Sequence, residues 1–174
     1  MRHHLGHISK KKEGFEVRFE RTLPFSAEVV WDAITNPNKL AIWFTDIEMD
    51  FVLGGKMIIR FRDENKSESI GKIIRIEPPN VFEYTWEEEL ATWEIFPEGK
   101  SRCKLLLTYS KFADNYAISV PAGWHVILDQ LEDALNGRKE FPLFGGEETA
   151  AARAMKAVYA GLVNKEYPDL KTAN

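Results

Sequence analysis

Histidine is the residue type in this sequence with the widest range of chemistry, and His125 is the one histidine outside the N-terminal segment. Asp129 follows it by four residues, the spacing at which a carboxylate on the same side of a helix can orient an imidazole for general acid–base catalysis. Both residues fall on the predicted polar side of that helix, however. We therefore predict a solvated surface pair and assign no catalytic residue.

Cys103 is the single cysteine of the chain. A nucleophilic thiolate needs a neighbouring base and an electropositive setting. Cys103 instead shares its strand parity with Leu105 and Leu107, which predicts a small buried apolar side chain. A lone cysteine also excludes an intrachain disulfide and favours a reducing compartment, so we expect a cytoplasmic protein.

Metal and cofactor sites are not predicted in the folded region. His3, His4 and His7 could hold a metal if their segment were ordered, but residues 1–13 are predicted to form a flexible tail. The rest of the chain offers one histidine and one cysteine, too few for a zinc or iron site. The glycine pairs at 54–55 and 145–146 lack any phosphate-loop or dinucleotide pattern and predict turns.

The aromatic residues are the stronger candidates for function, at 12% of the chain. Rigid rings on one face of a curved sheet pack imperfectly and could line a cavity for a small hydrophobic molecule. The alternative is that the rings only fill the core. The predicted lining is Trp43, Phe44, Phe51, Ile59, Phe61, Tyr84, Trp86, Trp93, Trp124 and Leu128. Among them, Tyr84, Trp86 and Trp93 would supply the polar contacts.

The element that must position this set is an amphipathic helix between Pro121 and Gly137. Proline suits the first turn of a helix, and glycine suits the left-handed residue after its end. One face of the helix carries apolar residues at helical spacing. This apolar stripe consists of Trp124, Leu128, Leu131 and Leu135.

The surface beneath this helix is predicted from period-two alternation of apolar and polar residues. A strand at 15–21 precedes two short helices, of which Ser26 caps the first and Asn36-Pro37 ends it. Six more strands are predicted at 49–53, 56–62, 70–77, 81–87, 92–96 and 102–109. Their short connections favour an antiparallel meander, and the acidic run 87–89 is predicted as a solvated hairpin end.

Taken in order, several motifs resemble those of a known family. They are Pro24 with Val30-Trp31, Trp43-Phe44, Gly54-Gly55-Lys56, Gly71 with Glu77-Pro78-Pro79, Tyr84-Thr85-Trp86, Pro97-Glu98-Gly99 and Gly123-Trp124. Over residues 14–140 the chain resembles homologues of the activator of heat-shock protein 90 ATPase, within the START-like superfamily (also called SRPBCC or birch-pollen-allergen-like). The resemblance implies an α+β helix-grip fold, in which a curved antiparallel sheet of about seven strands wraps around a long C-terminal helix and leaves an internal apolar cavity.

The resemblance leaves function open, because this fold hosts carriers, receptors, cyclases and chaperone regulators. We expect a non-enzymatic binding protein for a small hydrophobic or amphipathic ligand. The alternatives are a chaperone-associated interaction module, which would regulate the ATPase of heat-shock protein 90, and a cyclase- or hydrolase-like enzyme. A net charge of −4 gives no general attraction to nucleic acid, and no apolar run is long enough to span a membrane.

Residues 141–174 are predicted as an extension beyond this domain. The run 147–165 has apolar residues at helical spacing, namely Ala151, Met155, Val158 and Leu162. An amphipathic helix must bury such a stripe, either against its own domain, in a homodimer, or as a lid over a cavity mouth.

Overall fold

A computed structural model describes residues 4–172 of the chain. Its eight strands, numbered in chain order, form one antiparallel sheet in the order β1-β2-β8-β7-β6-β5-β4-β3. The strands are β1 (His7–Lys10), β2 (Phe15–Leu23), β3 (Asp46–Met49), β4 (Lys56–Arg60), β5 (Glu68–Glu77), β6 (Val81–Trp86), β7 (Glu89–Pro97) and β8 (Cys103–Phe112). The helices are α1 (Ala27–Thr35), α2 (Pro37–Trp43), α3 (Ser119–Leu135) and α4 (Ala150–Glu166), with a 3-10 turn at Asp114–Tyr116. The predicted α+β helix-grip fold is confirmed.

The long helix α3 covers the apolar face of the sheet. Its stripe residues Trp124, Leu128 and Leu131 are buried in the common core, as predicted. The helix begins at Ser119, so Pro121 lies in its first turn. Gly137 has a φ of 99°, and its N–H donates to the carbonyl of Ala134, which completes the predicted glycine C-cap.

The strand predicted at 49–53 is wrong, because the third strand ends at Met49. The following loop exposes Phe51, Val52 and Leu53. Its tight closure explains the difference: a Cβ at Gly55 would lie only 1.8 Å from the carbonyl oxygen of Asp50. The chain therefore turns too sharply here to extend the ladder.

Adjacent apolar residues at positions 73 and 74 leave the parity of the strand predicted at 70–77 ambiguous in the sequence, and the structure resolves it. The pairing of β5 with β6 shifts register between Ile73 and Arg75. Ordinary alternation along the strand leaves Ile73 buried and Ile74 exposed. The β-bulge shifts this alternation by one residue, so Arg75 is exposed as well and Ile76 packs partly against the core.

The flexible tail predicted for residues 1–13 is wrong at residues 7–10. These residues form β1, which pairs with the edge of β2 and buries Ile8. The C-terminal extension holds the same segment, because the hydroxyl of Tyr159 accepts from the Gly6 N–H at 2.7 Å and that of Tyr167 from the Lys10 N–H at 3.2 Å. His3 of the N-terminal histidine group lies outside the described residues.

The predicted solvated position of His125 is also wrong. The side chain is buried, and its Nδ1 lies 3.0 Å from the hydroxyl of Tyr159 on α4. Helix α4 packs against α3, and the His125 ring lies between Tyr159 of α4 and Phe19 of β2, at centroid distances of 5.9 and 6.1 Å. The helix faces of α4 differ from prediction too: Tyr159 and Val163 are buried, whereas Val158 and Leu162 are exposed.

Candidate functional site

An open cleft of about 480 Å³ lies between the first half of α3 and the strands β6, β7 and β8. Most of its wall consists of aromatic rings, and one carboxylate side chain reaches it. The lining residues are Phe61, Trp86, Glu89, Tyr109, Tyr116, Ser119, Val120, Gly123, Trp124, Ile127 and Phe144.

The sheet register places the polar and aromatic groups of this cleft side by side. Trp86 and Glu89 are paired at the end of the β6–β7 hairpin, so their side chains lie on the same face. Tyr109 pairs with Ala91, two residues beyond Glu89, and therefore projects from that face as well. Because Ala91 is small, the Tyr109 ring can extend along the sheet toward Glu89.

The rings of the cleft contact one another in edge-to-face, tilted and stacked arrangements. Trp124 on α3 lies 5.8 Å from Trp86 and 5.0 Å from Tyr109, measured between ring centroids. Phe144, from the segment before α4, stacks on Phe61 at 4.9 Å. Such contacts favour fixed ring positions, so the cleft is a largely preformed surface.

The polar group of the cleft is a hydrogen-bonded pair. The Tyr109 hydroxyl donates to the carboxylate of Glu89. Partial burial raises the pKa of Glu89, although the hydrogen bond from Tyr109 opposes this effect. A carboxyl group with a raised pKa can exchange a proton, hydrogen-bond to a neutral ligand or balance a positive charge.

Replacing Glu89 with glutamine is expected to stabilise the protein at about pH 7 but not at about pH 4. The raised pKa means that the folded state binds a proton more tightly than the unfolded chain. Ionisation of Glu89 therefore removes part of the stability of the wild type as pH rises through its folded-state pKa, and the variant lacks this contribution. Urea unfolding of both proteins at the two pH values measures the effect; a variant less stable at neutral pH would contradict it.

Three of the predicted cavity residues line this cleft, namely Phe61, Trp86 and Trp124. Phe44 lies just behind them, 5.9 Å from Trp86 and 5.8 Å from Trp124. A role for these residues in holding a ligand stays a prediction.

The other predicted residues lie away from the cleft. Four of them are buried in the core between α3 and the sheet, namely Ile59, Tyr84, Trp93 and Leu128. Trp43 donates its indole N–H to the carbonyl of Ala33 and borders a second groove, of about 270 Å³, between α1, α2 and the end of α3. Phe51 packs against Trp31 and Phe82 instead.

Sequence reasoning missed Glu89, Tyr109 and Phe144 as members of the site. Glu89 belongs to the acidic run predicted as solvated, yet it shares strand parity with the buried Ala91 and Trp93, and this parity was an available signal. Phe144 lies in an irregular segment with no periodicity, so no local pattern indicates its position.

A family model described as "Activator of Hsp90 ATPase homolog 1-like protein" matches residues 24–136. The chain belongs to this family. The match spans α1 to the end of α3 and so includes the cleft except for Phe144. No curated protein matches the chain.

Solved structures share the fold of this AHSA1-like chain at low sequence identity. EF2215 from Enterococcus faecalis, a protein of unknown function, is 14% identical with a TM-score of 0.73, over 92% of this chain and 91% of its own. CalU16 from Micromonospora echinospora is 21% identical with a TM-score of 0.69, over 91% and 95%. A Bordetella parapertussis protein encoded by BPP1335 is 24% identical with a TM-score of 0.67, over 89% of each chain. These likenesses establish the fold alone.

Among residues 4–172, no helix has the length and apolar character that crossing a membrane requires.

Proposed function

We propose that this AHSA1-like protein binds a small hydrophobic or amphipathic molecule in the cleft beside α3, without chemically transforming it. The main support for this proposal is the composition of the cleft wall. The wall consists mostly of aromatic rings, among them Trp86, Trp124 and Phe144, and it contains a polar group, the hydrogen-bonded Glu89–Tyr109 pair. Small-molecule sites combine apolar walls with a few placed polar groups in this way.

Affinity would come from burial of apolar ligand surface, at roughly 25 cal/mol per Å² removed from water. The Glu89–Tyr109 pair would orient the ligand by hydrogen bonding. Phe144 would form the outer wall, since its segment holds its position through the Arg62 N–H, which donates to the Phe144 carbonyl at 2.7 Å. The extension would then contribute to the site directly.

Replacing Gly123 with phenylalanine is expected to weaken ligand binding at least tenfold. A Cβ at this position meets no other atom within 4 Å, so a large side chain has room to occupy the cleft without displacing the core. Binding is measured by quenching of the tryptophan fluorescence during titration with a panel of lipids, polyketides and flavonoids.

Gly123→Ala is the matched control, since it adds only a methyl group. Alanine in a helix is also favoured over glycine by about 0.5–1 kcal/mol, so this variant should be more stable and should bind normally. Equal affinity of the phenylalanine variant, or no response of the wild type to any panel member, would contradict the proposal.

A second candidate function is a chaperone-associated interaction module, which the description of the matching family favours. The outer sheet face exposes large apolar side chains at Ile70, Ile74 and Phe96, a surface on which a protein partner could dock. Capture of heat-shock protein 90 by the wild type, and its loss when these residues become serine, would support this function. A cytoplasmic location, suggested by the lone Cys103, suits either function.

Dimerisation through α4 is a further part of this second proposal. Val158 and Leu162 are exposed on α4, while the adjacent stripe of the helix, formed by Tyr159 and Val163, is buried. A second copy would dock on those two residues, and sedimentation analysis of the mass in solution would detect it.

A further inference from the structure

The carboxyl group of Glu89 is unusual among the acidic groups of the sheet, because it faces an aromatic cleft. Its hydrogen-bond partner is the neutral hydroxyl of Tyr109, and within residues 4–172 it forms no ion pair with a lysine or arginine. The residues that line the cleft include no lysine, arginine or histidine. When Glu89 is ionised, no cationic side chain among the residues that line the cleft balances its negative charge.

The aromatic rings around Glu89 also attract positively charged groups, as its carboxylate does. The faces of tryptophan, tyrosine and phenylalanine carry negative electrostatic potential and attract cations placed over them. Trp86 and Trp124 lie nearly perpendicular to one another, with an interplanar angle of 86°. With the two rings at right angles, the face of one ring can lie against the ammonium group of a ligand placed next to the carboxylate.

From this arrangement we infer that the cleft selects organic cations, namely small apolar molecules that carry an amine. The ammonium group of such a ligand pairs with Glu89, and its hydrocarbon part lies against the rings. The inference rests on the proposed function and narrows it to one class of ligand. The ammonium N–H groups donate to Glu89, and the Tyr109 hydroxyl continues to donate to the same carboxylate.

One feature of the cleft favours the opposite charge. Ser119 and Val120 belong to the first turn of α3, and no side chain caps that end of the helix. Free N–H groups at a helix start carry about half a positive charge, which attracts anions. The full negative charge of Glu89 is larger than this half charge, and the ring faces add to its attraction for cations. We therefore expect the cleft to bind a cation more tightly than an anion. An anionic probe tests this balance directly.

The experiment compares three probes of one shape, phenylbutylamine, phenylbutanol and phenylbutyrate, by tryptophan fluorescence titration of the full chain at about pH 7. The amine is expected to bind the wild type about tenfold more tightly than the alcohol, and the carboxylate to bind weakest. In Glu89→Gln the amine should lose about tenfold in affinity, while the affinity for the alcohol changes less than about twofold. Glutamine keeps the shape of the side chain and an oxygen that can accept from Tyr109.

Glu88→Gln is the matched control, because Glu88 is the neighbouring carboxylate and is exposed at the hairpin turn. It should leave all three affinities unchanged; an equal loss there would show a general charge effect and overturn the inference. Equal binding of amine and alcohol to the wild type would overturn the inference and leave the proposed function standing. Tightest binding of the carboxylate would show that the start of α3 attracts the ligand more strongly than Glu89 does, and would overturn the inference. Failure of all three probes to bind would count against the inference and the proposed function together.

Discussion

Replacing Trp124 with alanine is expected to lower the free energy of unfolding by about 3–5 kcal/mol. The side chain is 4% exposed and joins α3 to the sheet, where its ring contacts Trp86, Trp93 and Tyr109. Alanine would leave a large void among rings that other contacts hold in place, so little of the space can close. Urea unfolding measures the loss.

Leu53→Ala is the control for Trp124→Ala, since Leu53 is among the most exposed apolar residues. It should change stability by less than about 0.5 kcal/mol. If Trp124→Ala cost no more than the control, the packing of α3 onto the sheet described here would be wrong.

Replacing Arg21 with leucine is expected to destabilise the protein by about 3–5 kcal/mol. Arg21 is only 4% exposed, on a strand facing α3, and its guanidinium lies 3.1 Å from Glu132 and 3.8 Å from Asp129. It also donates to the carbonyl of His4 at 2.8 Å. Leucine would leave two partly buried carboxylates without this cation and would release the N-terminal segment.

Arg75→Leu provides a surface comparison. Arg75 pairs with Glu77 on the exposed side of β5, where water screens the charges, so its removal should leave the unfolding midpoint nearly unchanged. A similar result for Arg21→Leu would show that apolar packing can replace the buried cluster. Such replacement is known for some buried ion pairs.

The helices and strands that could be predicted are those in which the local spacing of apolar residues already shows which face is buried. The apolar stripe from Trp124 to Leu135, together with the glycine at 137, indicates a helix with one buried face, whichever element covers that face. The alternation of β2 likewise requires a sheet with one buried side. Together with the ordered motifs between Pro24 and Trp124, these patterns were sufficient for the fold.

The failed predictions depend on contacts between segments distant in sequence. The burial of His125 requires α4, which places Tyr159 on a face of α3 that local periodicity assigns to solvent. Strand β1 exists because the edge of β2 is free and because Tyr159 and Tyr167 hold the residues before and within it. The candidate site depends in the same way on Phe144, whose position no short-range rule determines.

The proposed binding of a ligand between α3 and the sheet is tested most directly by nuclear Overhauser effects between a bound panel ligand and the protein side chains. We predict contacts from the ligand to the rings of Trp86, Trp124 and Phe144. Contacts confined to Val29 and Leu135, in the groove between α1 and the end of α3, would contradict the proposal.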